Sequence, residues 1–210
     1  MPTDLPIRCE CGTLQGTLRG VDPARGNRLI CYCDDCQSFA HFLNRGEGGA
    51  VLDDFGGTDL FQTSPSRITF EEGAEELAAV NLKPGGLMRW YARCCNTPIA
   101  NTMRSPQMPF AGTLHVAVDH AADGRSRDET LGPVRGTSLT QFAKGDASHL
   151  EAGGGRSLAM LGRILRLLFV WRLRGEHRPS PFFDDEGNLR CEPHVLTQDE
   201  LAEVEARRDA

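Results

Sequence analysis

Eight cysteines in four stations constrain this chain more than any hydrophobic pattern does. Cys9 and Cys11 form a C-x-C, Cys31, Cys33 and Cys36 form a C-x-C-x-x-C, Cys94 and Cys95 are adjacent, and Cys191 stands alone. Three thiols within six residues, in LICYCDDCQSFAHF, can be a metal claw, a redox pair or small buried side chains. The opening MPTDLPIRCE lacks the apolar run of a secretory leader, and no stretch reaches the ~20 apolar residues of a membrane span. The expected compartment is therefore a reducing cytoplasm, where clustered thiols serve metal or catalysis more often than disulfides. Asp34 and Asp35 between the thiols favour a solvated turn over burial. A redox C-x-x-C usually follows a βαβ pattern, and none precedes this one. Thiolate-rich clusters suit tetrahedral zinc, so the expected cofactor is one or two Zn2+ ions.

The rest of the chain reads as short strands with Gly/Pro turns. Ile7 to Arg19 is a hairpin or strand pair. Arg28 to Tyr32 leads into the claw, and a short helix after Cys36 ends before Gly46. Further strands are expected in TDLFQTSP, over Arg67 to Phe70, Leu77 to Leu82 and Leu87 to Tyr91, and in FAGTLHVAVD. This pattern predicts a mainly β (α+β) class, a β-rich sandwich stapled by its cysteines. The expected division is a zinc-binding β domain over 1–120, a loop or linker over 121–155, and a helical C-terminal extension over 156–210 packing on the domain. Within the extension, Ser157 to Leu173 is an amphipathic helix interrupted by Arg163, Arg166 and Arg172. It has two readings: packing on the β body, or a membrane-surface or dimer contact. Thr197 and Glu200 form a capping box that opens a terminal helix. A net charge of −6 argues against a nucleic-acid groove.

RCECGTLQG, CYCDDCQ and YARCCNTPIANT, in that order and spacing, resemble the three cysteine motifs of the glutathione-dependent formaldehyde-activating (GFA) enzymes, a family shared with CENP-V-like proteins. RWYARCCNTP and PFFDDEGN resemble an uncharacterised, divergent branch of it. The resemblance covers roughly residues 7 to 115. It implies a β-rich fold with two zinc sites: a structural-type site at Cys9, Cys11 and Cys95, and a catalytic-type site at Cys31, Cys33 and Cys36 with an open position. Cys95 is in register because Thr97 and Pro98 follow it, whereas the family's first cysteine in this motif falls on Ala92 and its usual Gly on Asn96. Cys94 is then the candidate fourth ligand, provided a turn or bulge brings neighbouring side chains to one side. The alternatives are that Cys94 points elsewhere or that the site is lost.

At the claw, His41 is the nearest candidate for a fourth ligand, and Cys191 with His194, in RCEPH, has C-x-x-H spacing that could reach back from the tail. Four protein ligands would make a closed site, and three leave one position for water or substrate. The resemblance implies a carbon–sulfur lyase type of enzyme, adding a thiol such as glutathione to a small aldehyde. No catalytic residue beyond the metal ligands is assigned: Asp34, Asp35 and Gln37 adjoin the claw, but charged turn residues are usually solvated. The contrasting reading is a non-catalytic, zinc-stabilised binding module.

Overall fold

The computed structural model describes residues 2–151 and 158–210, and it is a mixed α+β fold dominated by strands. Eleven strands run in chain order: β1 Thr3–Arg8, β2 Gln15–Val21, β3 Asn27–Cys31, β4 Thr58–Thr63, β5 Ile68–Glu72, β6 Leu77–Asn81, β7 Met88–Ala92, β8 Thr97–Thr102, β9 Ala111–Leu114, β10 Thr137–Ser138 and β11 His194–Val195. Five helices accompany them: α1 Asp34–Phe42, α2 Arg127–Leu131, α3 Ser148–Glu151, α4 Leu158–Leu173 and α5 Gln198–Asp209. The strands form a three-stranded sheet ordered β1-β2-β5 and an eight-stranded sheet ordered β10-β3-β4-β9-β8-β7-β6-β11.

Burial follows the residue pattern. In β1, Leu5 and Ile7 alternate with exposed positions, as a one-sided strand requires. β4, β8 and β9 lie inside the large sheet and are buried almost throughout. The main core gathers Leu5, Ile7 and Leu18 of the small sheet against Trp90 and Ile99 of the large one. Trp90 donates its indole N–H to Thr102 Oγ1 at 2.9 Å and lies 4.9 Å from the ring of Phe182, so its polar edge is satisfied in the dry interior. α1 starts at Cys33, whose sulfur accepts the Cys36 N–H, and Asp34 and Asp35 complement the helix dipole in the first turn. The Thr197–Glu200 capping box opens α5, as the sequence indicates.

The second half of the chain is woven into the first. β10 adds to β3 in parallel, with Ser138 opposite Cys31, and β11 adds to β6 at the other end of the sheet. Through residue 151, the stretch expected as a linker is therefore held on the body, and residues 152–157 lie outside those described. The physical reason is a buried arginine. Arg28 forms a bidentate pair with Asp59, at 3.0 and 2.8 Å, and also donates to the Gly132 carbonyl at 2.7 Å. Asp59 accepts a further bond from Arg127 of α2 at 3.1 Å. Burial pushes the Asp59 pKa up, but Arg28 overrides this and holds it below the usual carboxylate value.

α4 meets the body through one side that includes an arginine. Leu167 and Trp171 are buried, and Arg163 turns inward to the carbonyls of Pro23 and Gly26, at 2.7 and 2.6 Å. The exposed face is instead a stripe of Leu158, Leu161, Leu165, Phe169 and Leu173. Two open carbonyls offer a guanidinium better bonding than an aliphatic side chain could give them.

Breaking the buried pair should be costly because it strands a charge. Asp59→Ala is expected to destabilise by about 3–5 kcal/mol, whereas Asp128→Ala, at the exposed end of the same network, should cost under about 1 kcal/mol. Urea melts of both variants check this. The Asp59 contribution should persist at neutral pH and fade only as acid protonates it below the ordinary carboxylate pKa.

Candidate metal centres

The turn between β1 and β2 carries Cys9 and Cys11. It closes through Gly12 N–H to the Cys9 carbonyl at 3.0 Å, with Gly12 at φ +80°, a region open to glycine at little cost. The turn between β7 and β8 carries Cys94 and Cys95 and ends at Asn96, φ +56°. Asparagine is among the side chains that tolerate this left-handed region. It can therefore stand where the resembled motif has glycine.

These turns belong to different sheets, and they meet through their sulfurs. Cys9 Sγ lies 3.5 Å from Cys11 and 3.7 Å from Cys94, Cys11 lies 3.4 Å from Cys94, and Cys94 lies 3.8 Å from Cys95. All four sulfurs fall within 4.8 Å of one another, a set able to hold a metal ion. Tetrahedral sulfurs at ~2.3 Å from one ion stand about 3.8 Å apart, so these sulfur contacts fit a common ion with small adjustment. The tight turn overcomes the strand geometry that would send adjacent side chains to opposite faces. Cys94 thus joins the set two residues beyond Ala92, which points into the core with no exposure.

Donors surround this sulfur cluster. The Leu14 N–H reaches Cys9 Sγ at 3.2 Å, the Thr13 hydroxyl lies 3.2 Å from Cys11, and the Thr97 hydroxyl lies 3.1 Å from Cys95. The Thr13 contacts lower the Cys11 pKa to about 6. For Cys95, burial acts upward, but the Thr97 hydroxyl wins and the pKa falls. Cys9 and Cys94 are pushed up, chiefly by desolvation. The protein alone therefore favours some thiolates and resists ionising all four together, which is the condition a cation relieves.

The claw forms where β3 meets α1. Cys31 ends β3, Cys33 caps α1, and Cys36 sits in its first turn, with the three sulfurs within 4.8 Å of one another. Among the described residues, no fourth His, Cys, Asp or Glu joins them. His41 lies instead beside Asn44, Glu47 and Arg207 in a separate hollow. Cys191 packs half-buried against the main core, and His194 bonds Glu200 at 2.9 Å. Gln37 donates to the carbonyls of Tyr32 and Phe142, and Asp35 pairs with Lys83 at 2.8 Å.

The sequence reading passed over Arg89. It is 2% exposed, reaches Cys36 Sγ at 3.6 Å and Asn101 Oδ1 at 3.3 Å, and lies 5.6 Å over the Phe39 ring. Burial pulls its pKa down, but the charge of Cys36 and Cys33 raises it above the ordinary value. An arginine in a strand beside Trp90 carries no motif signal, since only the fold brings β7 behind the claw. The contacts from Cys33 and Cys36 hold the Cys31 pKa low, while those from Cys31 and Cys36 push Cys33 up.

On its free side the claw forms one wall of a cavity of ≈ 300 Å3, bounded by Leu29, Leu60, Leu87, Arg89, Asn101 and Phe110, and by Met160, Leu161 and Ile164 of α4. A larger cavity of ≈ 450 Å3 reaches Cys9. Charged groups on its wall are spent on one another: Arg8 pairs with Asp119 at 3.0 Å, and Arg45 with Glu10.

A family described only as one of unknown function, DUF6151, matches residues 1–191. The chain belongs to that family. All eight cysteines lie within the matched span of this DUF6151 member. No curated protein matches the chain. Among solved structures, a crystal structure of a Rhodobacter sphaeroides protein is similar at 17% identity and a TM-score of 0.40, covering 62% of this chain and 97% of that one.

If Cys94 completes the four-sulfur set, Cys94→Ser and Cys95→Ser should be alike. Each is expected to lose one bound metal equivalent and to lower the melting temperature, because a metal bound only in the folded state adds its binding energy to folding. Metal analysis and thermal melts of protein kept reduced check this. A harmless Cys94→Ser beside a damaging Cys95→Ser would return Cys94 to the role of bystander.

Proposed function

We propose that both cysteine sites bind zinc, and that the claw supports addition of a low-molecular-weight thiol to a small aldehyde, the activity implied by resemblance to the GFA family. The observation that carries this is the claw itself: three thiols, no fourth ligand among the described residues, and a cavity against the free side. Closed four-sulfur sites serve structure and three-ligand sites keep a position for chemistry, so the four-thiol site is assigned the structural role. All-sulfur ligation suits zinc or an iron–sulfur cluster, and absorption spectra distinguish them.

Zinc at the claw would supply Lewis acidity towards a carbonyl oxygen. The chain's own contributions are separate. Leu29, Leu60 and Phe110 give the cavity an apolar wall. Asn101 and the Phe39 ring hold Arg89 against Cys36, favouring the thiolate that a metal requires. In the reaction the thiol sulfur bonds to the carbonyl carbon, the C=O π pair moves to oxygen, and the thiol proton ends there. No oxidant or reductant is needed.

The uncatalysed addition is easy, so the expected gain is modest. Exchange rates by NMR for formaldehyde with a small thiol such as ethanethiol should rise on the order of tenfold, about 1.4 kcal/mol, with zinc-loaded protein. They should return to background for zinc-stripped protein and for Cys36→Ser. Identical rates for all three would favour the non-catalytic binding module.

A second reading concerns α4, which is too short and too charged to cross a membrane, as no described helix is long and apolar enough to do so. Its apolar stripe is open to solvent, with Phe169 64% exposed, and Arg166, Arg172 and Arg174 beside it are exposed too. Apolar and basic faces together suit an anionic membrane surface, in a chain otherwise acidic. The protein should co-sediment with vesicles containing an anionic lipid. Leu165→Asp with Phe169→Asp should abolish this without shifting the melting curve; a self-associating variant-sensitive dimer in the absence of lipid would favour a dimer contact instead.

A further inference from the structure

Resting on the catalytic reading of the claw, we infer that its cavity accepts a neutral ligand with a hydrocarbon chain, a straight-chain thiol or aldehyde, in preference to a charged peptide thiol such as glutathione. The walls away from the sulfurs are apolar: Leu29, Leu60, Leu87 and Phe110 from the sheet side, Met160 and Ile164 from α4. The charged group and two amide oxygens on the wall already have partners. Arg89 is held by Cys36 and Asn101, and Gln62 accepts from the Asn27 amide at 2.9 Å.

Glutathione carries two carboxylates and an ammonium. Among the described residues the only cationic side chain on the cavity wall is Arg89, which is buried and held against Cys36. A glutathione carboxylate drawn to it would have to displace these partners, and the ammonium would meet no carboxylate at all. Charges brought into such a place without partners are strongly disfavoured, whereas each methylene laid on the leucines is favourable.

The rim points the same way. Leu161 lines the cavity and is also 46% exposed, so it belongs to both the cavity wall and the outer stripe of α4. From it the stripe continues through Leu165 and Phe169. A chain too long for ≈ 300 Å3 therefore leaves the cavity onto apolar surface rather than into water.

The test uses the full chain loaded with zinc, its metal content measured first. Ethanethiol, butanethiol, hexanethiol and glutathione are then titrated by calorimetry. Affinity should rise roughly three- to fourfold for each added methylene, and glutathione should bind no tighter than ethanethiol. A flat series, or glutathione tighter than hexanethiol, overturns the inference. Leu161→Glu, a change at a half-exposed position on the cavity rim, should weaken hexanethiol at least tenfold and ethanethiol less, with zinc content unchanged. Equal affinities of variant and wild type for hexanethiol would remove the α4 rim from the site and overturn the inference as well. A claw that takes up no zinc defeats the parent reading at the metal analysis, before any thiol is added; a zinc-loaded claw with a flat series defeats the chain-binding inference alone.

Discussion

Two turns from different sheets meet sulfur to sulfur, and much of the architecture is arranged around that meeting. Cys9 and Cys11 close the β1–β2 hairpin of the small sheet, while Cys94 and Cys95 close the β7–β8 hairpin of the large one. The strands that lead into these turns carry Ile7 and Trp90 into the shared core. Fixing the turns therefore fixes how the sheets face each other. Four thiols in mutual contact do not hold such an arrangement by themselves, because ionising them adds repulsion and leaving them protonated gives only weak hydrogen bonds. A cation bound by all four would turn the contact into a clamp, and its binding energy would count directly towards folding.

What the sequence reveals of this depends on distance along the chain. The claw is legible because its thiols are local: a strand end, a cap and a first helical turn account for Cys31, Cys33 and Cys36 without any tertiary knowledge. The four-thiol cluster is half legible. Cys9 and Cys11 declare themselves by spacing, but adjacent Cys94 and Cys95 read as a conflict, since an extended strand separates neighbouring side chains. A positive φ at Asn96 marks the turn that resolves the conflict, and asparagine signals such a turn less strongly than glycine does. Strand placement through β9 follows hydrophobic and turn patterns, except that β1 begins at Thr3 rather than Ile7 and that β8, Thr97–Thr102, is a strand the pattern did not mark. β10 and β11 were illegible, being two-residue additions whose partners lie over a hundred residues away.

The inward face of α4 is illegible in the sequence for a different reason. Periodicity identifies an apolar stripe, but it cannot say which of two stripes meets the body when both are apolar. Leu167 and Trp171 go inward and Leu161, Leu165 and Phe169 stay out. Arg163, which in isolation belongs on a solvent face, is drawn in by the carbonyls of Pro23 and Gly26. Hydrogen-bond demand from distant loops outweighs the local pattern there, as it does at Arg28, whose partners Asp59 and Gly132 tie a loop-like segment to the sheet.

Arg89 connects the claw's charge to the character of its cavity. A guanidinium that is 2% exposed must be balanced, and among the described residues no carboxylate pairs with it; Cys36, Asn101 and the Phe39 face contact it. Buried charge without balance is expensive, so the arginine belongs with a negatively charged claw. Three thiolates around a divalent ion carry a net charge of −1, which Arg89 cancels. The four-thiol site would carry −2 in the same state, and it lies at exposed turns where water and the hydroxyls of Thr13 and Thr97 share the charge. The dry site is thus the one that can be neutral, and the wet site the one that remains charged. With a divalent ion bound, such a site facing leucines would favour a ligand that brings no net charge of its own, whereas an anion entering there would restore the imbalance Arg89 removes.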